Sequence, residues 1–200
     1  KNETKSKTFF AHVDHGIRKN SSKEAISVKK FLKNFKITLN ILKNKKEIKK
    51  NVQNNARIER YKLLADFCKK KKIPHILTAH HSDDQVETFL IRLSRGSGVQ
   101  GLASMKTVTQ LEKKIKVIRP LLDLKKKDLT YISKKVFGRF FIDPSNSNKK
   151  YLRTKIRFLT KALEKSGIAH SQIIRSIKNL SSTNDMVNDY IKRLKKEIVI

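Results

Sequence analysis

Compact apolar runs alternate with longer amphipathic stretches along the first two thirds of the chain. The runs Thr8 to Val13, Ile37 to Leu42 and Ile76 to Ala79 are typical of strands, the last of them buried. Two of the stretches between them, from Ser21 to Phe35 and from Asn55 to Lys70, repeat apolar residues at intervals of three and four, which predicts helices. Strand and helix therefore alternate, and this order predicts an α/β fold whose parallel sheet is covered by helices on both faces.

Two serine-led patterns predict where helices begin. Ser21 with Glu24, and Ser82 with Gln85, match the capping box, in which two side chains satisfy backbone N–H groups at a helix start. The predicted inward faces are Ala25, Val28, Leu32 and Phe35 in the first helix, Ala56, Leu63, Leu64 and Phe67 in the second, and Val86, Phe89, Leu90 and Leu93 in the third. Cys68 is the only cysteine, which excludes an internal disulfide and predicts a helix-core residue.

The pattern changes towards the C-terminus. Val117 to Leu121 is typical of a short strand or extended segment, and Lys125 to Val136 of a helix ended by Gly138. Phe140 to Ile142 is a last extended piece. From Arg157 onward the sequence is helical, polar and basic, so we expect a domain boundary near 165–167.

The formal net charge of +31 is extreme for a chain of 200 residues. Such a surface attracts polyanions, and nucleic acid is the natural partner. Three basic segments, at 43–50, 69–72 and 149–157, are candidate contacts. Lysine greatly outnumbers arginine and accompanies abundant asparagine and isoleucine, so a compositional bias is the alternative source of the charge. No apolar run approaches the roughly 18 residues of a membrane span, and no signal peptide is visible, which predicts a cytoplasmic protein.

Residues 76–105 concentrate the reactive side chains. His80 and His81 follow a predicted strand, at the sheet edge where open α/β folds bind ligands. Asp84 and Glu87 are three residues apart and share one face of the helix that follows. In the alternative, purely structural interpretation the two histidines only end the strand.

A glycine cluster closes the same helix. Gly96 to Gly101 matches the dinucleotide-binding pattern G-x-G-x-x-G, but that pattern must follow a strand and open a helix. A helix C-cap at Gly96 with a tight turn, or a flexible loop beside the active site, fits the context better.

A second chemistry uses the same residue types. The set His12, Asp14, His15, His80, His81, Asp83 and Asp84 contains the ligands with which a two-metal phosphoesterase activates water. A metal-dependent phosphoesterase therefore stands as an alternative to nucleotide chemistry.

Six separated blocks, which span roughly Phe9 to Arg157, carry a family resemblance. They are 12–18; Ala56-Arg57 with Arg60-Tyr61; 80–88; 95–98 through Gly101-Leu102; 118–121; and Asp143-Pro144-Ser145-Asn146 with 151–153 and 156–157. In this order they resemble the tRNA(Ile)-lysidine synthases, which belong to the N-type ATP pyrophosphatases. The resemblance implies an adenine-nucleotide α-hydrolase-like, Rossmann-like fold followed by a helical C-terminal segment.

The resemblance also implies a reaction and its partners. ATP, with Mg²⁺, adenylates the wobble cytidine of tRNA(Ile) with a CAU anticodon, and the side-chain amine of free L-lysine then displaces AMP. A ligase of this kind acts without a membrane, and a homodimer is left open. Residues 1–165 would form the catalytic domain, and residues 166–200 a helical linker or the start of a tRNA-binding domain.

Particular residues take roles from the resemblance. Asp84, Glu87 and His81 would be catalytic, the two acids holding the lysine ammonium or taking its proton. The ATP- or phosphate-binding set would be His15, Arg57, Arg60, His80, Gly96 and Gly98. The tRNA-binding set would be Arg95, Arg153 and Arg157.

The sequence departs from the family pattern in two places. The phosphate-binding loop Ser-Gly-Gly-x-Asp-Ser does not occur in the chain, and Thr154 replaces a common asparagine. We expect an N-terminally truncated domain that binds nucleotide weakly and does not cleave ATP alone, with a decayed copy that has lost the loop as the alternative. Another N-type ATP pyrophosphatase, acting on RNA or a small molecule, and a non-catalytic basic RNA-binding module also stand as alternatives.

Overall fold

The computed structural model describes residues 8–17, 20–46, 48, 50–141 and 151–198. It forms two compact units, the first comprising Lys1–Ile76 with Gln110–Val117, and the second Leu77–Thr109 with Ile118–Ile200. Several predictions fall on positions outside the described residues, namely those for Arg18, Lys49, Ile142, the motif 143–146 and Lys149.

The first unit begins with a β-α-β-α sequence: β1 (Phe10–Asp14), α1 (Ser21–Lys33), β2 (Leu39–Lys43) and α2 (Val52–Lys71). β1 and β2 pair in parallel, in a register that aligns Phe10 with Leu39. This arrangement confirms the predicted parallel α/β order, because a parallel pair needs a crossover such as α1.

The core of the first unit lies between α2 and the second sheet. Ala65 and Cys68 from α2 pack with Ile76, Ile115 and Val117. Cys68 is buried in the helix core, as predicted. Of the predicted inward residues of α2, Ala56 is fully buried and the larger side chains are half-buried.

The second sheet has the strand order β3-β5-β4, from β3 (His75–Leu77), β4 (Val108–Glu112) and β5 (Ile115–Ile118). Beside β3, Lys116 N–H donates to Pro74 O and Thr78 N–H donates to Ile118 O, so both segments advance together in parallel. The sequence missed β4, a polar strand that joins β5 through a two-residue turn.

The prediction of a buried strand at 76–79 is wrong in both its bounds and its burial, because the strand observed there is β3, at His75–Leu77. Only Ile76 is buried, while Leu77 is 69% exposed. Neighbouring strand residues point to opposite faces, so Ile76 joins the buried cluster with Cys68 while His75 and Leu77 face away from it.

The second unit is helical. It contains α3 (Ser82–Leu93), α4 (Val99–Leu102), α5 (Lys126–Phe137), α6 (Leu152–Lys165) and α7 (His170–Ile198). Val86 and Leu90 of α3 pack with Ile156, Ile173 and Ile177 from α6 and α7. Gly138, in a left-handed conformation at φ 74°, ends α5 as predicted. None of the described helices is long and apolar enough to cross a bilayer.

Neither predicted capping box is present: the box of α3 lies one residue earlier in the chain, and no side-chain hydrogen bond caps α1. The helix α3 has His81 at its N-cap, and Asp84 Oδ2 accepts a hydrogen bond from His81 N–H at 3.1 Å. A carboxylate accepts more strongly than an amide, so Asp84 takes the position predicted for Gln85. Gln85 instead exchanges two hydrogen bonds with the backbone of Met105. Asn20, rather than Ser21, is the N-cap residue of α1.

The prediction of burial is also wrong for two residues. Leu93, in the last turn of α3, is 51% exposed, and Phe35 lies beyond the end of α1 and is exposed. Both lie at or beyond the end of a helix, and Phe35 packs against Phe31 of its own segment rather than in the core.

Candidate active site

His81 and Asp84 cap the N-terminus of α3. The backbone of His81 is extended, at φ −129° and ψ 179°, and the side chain is largely buried between two carboxylates. Its Nε2 lies 3.5 Å from Asp84 Oδ2, and its Nδ1 lies 3.6 Å from Asp83 Oδ2. An imidazole beside an acid in this way can pass a proton between its two nitrogens.

Glu87 lies one turn further along α3 and is 4% exposed. Its Oε2 accepts from Arg153 Nε at 2.7 Å, and its Oε1 accepts from Arg157 Nε at 2.5 Å. Arg153 Nη2 also lies 3.5 Å from Asp84 Oδ1. Asp84 and Glu87 therefore share a face, as predicted, and that face is turned towards the two arginines of α6.

Charge compensation holds this cluster together. A buried carboxylate is costly unless cations and hydrogen bonds surround it, and Glu87 has two guanidinium partners. Burial works to lower the pKa of Arg157, but the hydrogen bond to Glu87 and the charges of Glu87 and Asp84 outweigh it and raise that pKa. Arg153 and Arg157 are four residues apart, so they lie on one face of α6. That spacing was visible in the sequence, but their partner was not.

His80 lies beside this cluster in the chain. Its Nδ1 is 2.9 Å from Thr78 Oγ1, and its side chain is half-buried. The contact ties the histidine to the segment that follows β3.

In the first unit, His15 and Arg60 are in contact. Arg60 Nε donates to His15 Nε2 at 3.4 Å. Burial and the charge of Arg60 lower the pKa of His15, so the imidazole is neutral near pH 7, with its proton on Nδ1. That Nδ1 is buried and has no hydrogen-bond partner among the described residues. The Arg57 guanidinium lies over the Tyr61 ring, 5.2 Å from its centroid.

Asp14 organises the turn that presents His15. It is buried, and it accepts from Gly16 N–H at 3.1 Å and from Ser22 Oγ at 2.5 Å. Burial alone would raise the pKa of Asp14, but these hydrogen bonds lower it. Gly16 adopts φ 65°, which glycine reaches without steric cost.

The glycine cluster ends α3, as the interpretation of Gly96 as a helix C-cap predicts. Gly96 has φ 68°, and Ser97 N–H donates to Arg92 O at 3.1 Å. Arg92 Nη1 also binds two loop carbonyls, Gly101 O at 2.6 Å and Ser104 O at 3.0 Å. The loop is therefore tied back to α3, a contact that no spacing in the sequence indicates.

Gly98 precedes α4, and a Cβ at Gly96 or Gly98 would meet nothing within 4 Å. Space is tight only at Gly101, where a Cβ would lie 2.7 Å from Ser97 Cβ. Arg95 lies exposed in the turn after α3.

The predicted site residues thus fall into two groups, one in each unit. His15, Arg57 and Arg60 belong to the first unit; His80, His81, Asp84, Glu87, Arg95, Gly96, Gly98, Arg153 and Arg157 belong to the second. The phosphoesterase ligand set is divided in the same way. Within the described ranges, no three histidine, cysteine or acidic side chains are grouped closely enough to hold a metal ion.

Comparison with known proteins identifies the family. The strands and helices define an α/β nucleotide-binding domain of the adenine-nucleotide α-hydrolase type, and the model of the PP-loop domain family matches residues 1–163. The chain belongs to the PP-loop domain family. A solved structure, the U34-tRNA thiolase NcsA from Methanococcus maripaludis with its 4Fe-4S cluster, shares this fold. Its TM-score is 0.68 at 18% identity, over 86% of this chain and 60% of that one.

Curated relatives are similar over most of this chain. A tRNA(Ile)-lysidine synthase of Wolbachia pipientis wMel is 42% identical over 163 residues, which are 80% of this chain and 38% of the relative. One from Zymomonas mobilis is 41% identical over 154 residues, 75% of this chain and 47% of the relative. The chain therefore spans less than half the length of either relative.

Proposed function

We propose that this chain is the PP-loop catalytic domain of a tRNA(Ile)-lysidine synthase, a ligase that forms a carbon–nitrogen bond. Family membership and relatives of that name at about 40% identity support the proposal. The observation that carries it is the paired carboxylates of Asp84 and Glu87 at the start of α3, because the reaction must hold and deprotonate an ammonium group.

The proposed reaction has two balanced steps. The 2-oxo oxygen of the wobble cytidine in tRNA(Ile) CAU attacks the α-phosphorus of ATP, and pyrophosphate leaves. The side-chain ammonium of L-lysine then loses one proton, the resulting amine attacks C2, and AMP leaves with the oxygen. The lysine nitrogen loses a second proton after the C–N bond forms and keeps the third. The amine needs a base, since a free lysine ammonium has a pKa near 10.4.

Asp84 is the better placed of the two acids to receive a proton. Its Oδ2 lies 3.5 Å from His81 Nε2, which offers an onward path for the proton. Glu87 already accepts hydrogen bonds from Arg153 and Arg157 on both oxygens. We therefore assign Glu87 to holding those arginines and adding negative charge near the ammonium, and Asp84 with His81 to proton removal.

ATP is the proposed co-substrate, with His15, Arg57, Arg60, His80, Gly96 and Gly98 as candidate contacts. The Nδ1–H of the neutral His15 lacks a partner but is buried, so it would have to be uncovered to reach a nucleotide, whereas the exposed Arg60 side chain beside it suits phosphate. Mg²⁺ commonly accompanies ATP, but the described residues group no set of acids to hold it, and no step here is assigned to a metal.

Arg95, Arg153 and Arg157 are the proposed tRNA contacts, on a domain whose charge suits a polyanion. Arg153 and Arg157 keep part of their side-chain surface exposed beside Glu87. We further propose a cytoplasmic enzyme with a catalytic domain at 1–165. The helical segment 166–200, mostly α7, would then be a linker or the start of a tRNA-binding domain.

A domain exchange tests the proposal. The matched segment of the Wolbachia pipientis relative is replaced by residues 1–163 of this chain, and incorporation of radiolabelled lysine into a tRNA(Ile) CAU transcript is measured with ATP. We expect lysine incorporation with release of AMP and pyrophosphate. The same chimera with Asp84→Asn is the matched control.

Other outcomes identify the alternatives. Release of pyrophosphate that depends on tRNA, without lysine incorporation, indicates another PP-loop enzyme that modifies tRNA. Manganese-dependent phosphodiester hydrolysis without ATP indicates a phosphoesterase. A correctly folded chimera that binds tRNA and consumes no ATP indicates an RNA-binding module.

A further inference from the structure

The segment from Lys125 to Phe141 presents aromatic rings to solvent. It contains α5, none of whose residues is buried. Tyr131 is 63% exposed, and Phe140 and Phe141, just after the helix, are both more than 40% exposed. Exposed apolar side chains that are close in the chain often mark an interaction site.

Each of these rings is accompanied by a cation. Lys135 Nζ lies 5.8 Å from the Tyr131 centroid, and Lys134 Nζ lies 5.6 Å from that of Phe140. Arg139 Cζ lies 4.9 Å from the centroid of Phe141. The segment holds six lysines and arginines and a single acid, Asp128.

The turn after α5 holds the segment that carries Phe140 and Phe141 against the end of the helix. Gly138, at φ 74°, donates its N–H to Lys134 O at 2.9 Å, and Ser133 Oγ donates to Arg139 O at 3.4 Å. The chain therefore folds back at Gly138, and Phe140 lies against the last turn of the helix. Tyr131 and Lys135 are four residues apart and share one face.

We propose that Tyr131, Phe140 and Phe141, with Lys134, Lys135 and Arg139, form a platform on which unpaired RNA bases stack. Proteins that bind single strands combine exposed rings, which stack on any base, with cations that meet the phosphates. This α5 platform has both components within 11 residues.

Charge favours RNA over a protein partner. A second copy of this chain would bring another formal charge of +31 against six local cations, and the two would repel. An apolar protein segment could pack against the rings, but it would not use the positive charges of the three flanking cations. RNA phosphates would. The inference rests on the proposed function in taking RNA as the natural partner, and it adds a contact surface outside the predicted tRNA-binding arginines.

A tryptophan probe tests the stacking directly, because the chain contains no tryptophan. Tyr131→Trp places one indole on the platform, and Tyr190→Trp places one on α7 at the same 63% exposure. On titration of the 200-residue chain with oligouridylate, we expect the emission of the first variant to be quenched and that of the second to change little. Oligouridylate annealed into a duplex should quench the first variant much less.

Removal of the rings supplies the second measurement. Tyr131→Leu and Phe141→Leu should each weaken oligouridylate binding by about fivefold or more, since stacking on a ring contributes at least that factor. The salt dependence should stay the same, because a ring displaces no counterions. Lys134→Gln with Lys135→Gln should instead flatten the salt dependence. Tyr190→Leu is the matched control and should alter neither.

Three results would overturn the inference. Equal quenching in the two tryptophan variants, or unchanged affinity in the leucine variants, shows that the rings do not contact bases. Emission of the Tyr131→Trp variant that shifts to the blue with rising protein concentration, without RNA, shows that a protein surface covers the rings. These measurements use neither ATP nor lysine, so lysine transfer by the chimera can succeed while the platform fails, and the reverse.

Discussion

Glu87 Oε1 and Arg157 Nε lie 2.5 Å apart, in a contact that links α3 to α6. Arg153 completes the pairing from the same helix. The acid face of α3 is thus a packing surface as well as a candidate reaction site, and substitutions there change stability and chemistry together.

Glu87→Gln should destabilise the chain by about 2 kcal/mol, which is below the roughly 3–5 kcal/mol for breaking a fully buried ion pair, because both arginines are partly exposed. Urea unfolding followed by circular dichroism measures this. Asp189→Asn, which breaks an exposed pair with Lys192, is the matched control and should change stability by less than about 0.5 kcal/mol. Equal losses in the two variants would contradict the structural importance of Glu87.

Asp84→Asn separates chemistry from packing better than Glu87→Gln does. An asparagine oxygen can still accept from His81 N–H, so the helix cap should survive while the base is lost. In the chimera we expect lysine transfer to fall by about 10²-fold or more, with ATP-dependent pyrophosphate release retained. Transfer at the wild-type rate with an unchanged melting curve would remove Asp84 from the mechanism.

His15 should make the stability of the first unit depend on pH. Its pKa is lowered in the folded chain, so the unfolded chain binds more protons as the pH falls below its unperturbed value near 6.5. The stability that His15 contributes is present above that pH and is lost as the pH falls towards the lowered pKa. Urea unfolding at pH 7.5 and pH 5.5 should show this loss in the wild type and a smaller one in His15→Gln. The same pH dependence in both proteins would assign it to other groups.

Ile76→Ala and Leu77→Ala should differ sharply although the residues are neighbours. Ile76 packs in the buried cluster with Cys68, whereas Leu77 is mostly exposed. We expect losses of about 3 kcal/mol and less than about 1 kcal/mol respectively. Burial raises the pKa of the Cys68 thiol, so its reaction with a disulfide reagent reports opening of this core. Only Ile76→Ala should accelerate the reaction, and equal rates would contradict the alternation seen in β3.

RNA binding should weaken linearly on a log–log plot against salt, with a slope near −0.7 per neutralised phosphate for single strands. Joint charge reversal of Lys45, Lys46 and Lys49 should flatten that slope. Lys46 lies 3.8 Å from Glu59 and is mostly exposed, so its charge remains largely available. Lys49 lies outside the described residues. An unaltered slope would show that the lysines of this loop are exposed to solvent and do not contact RNA phosphates.

Much of the local organisation follows from sequence pattern. The burial of Cys68, the glycine ends of α3 and α5, and the shared face of Asp84 and Glu87 follow from short-range spacing. The parallel pairing of β1 with β2 follows from the alternation of strands and helices along the chain. Motif order also predicted the PP-loop family. These features depend on backbone geometry within a few turns, which residue type constrains directly.

Tertiary structure decided which residues those local features meet. Nothing in the spacing shows that Glu87 receives both arginines of α6, about 70 residues later, or that Arg92 holds the glycine loop. The sequence pattern did not predict the polar strand β4, because its residues lack an apolar period. They form a strand only because β5 lies beside them. The sequence by itself determined the elements and the chemistry of their side chains. The partners of those side chains depended on packing between distant segments, because burial and charge pairing arise only when helices and strands meet.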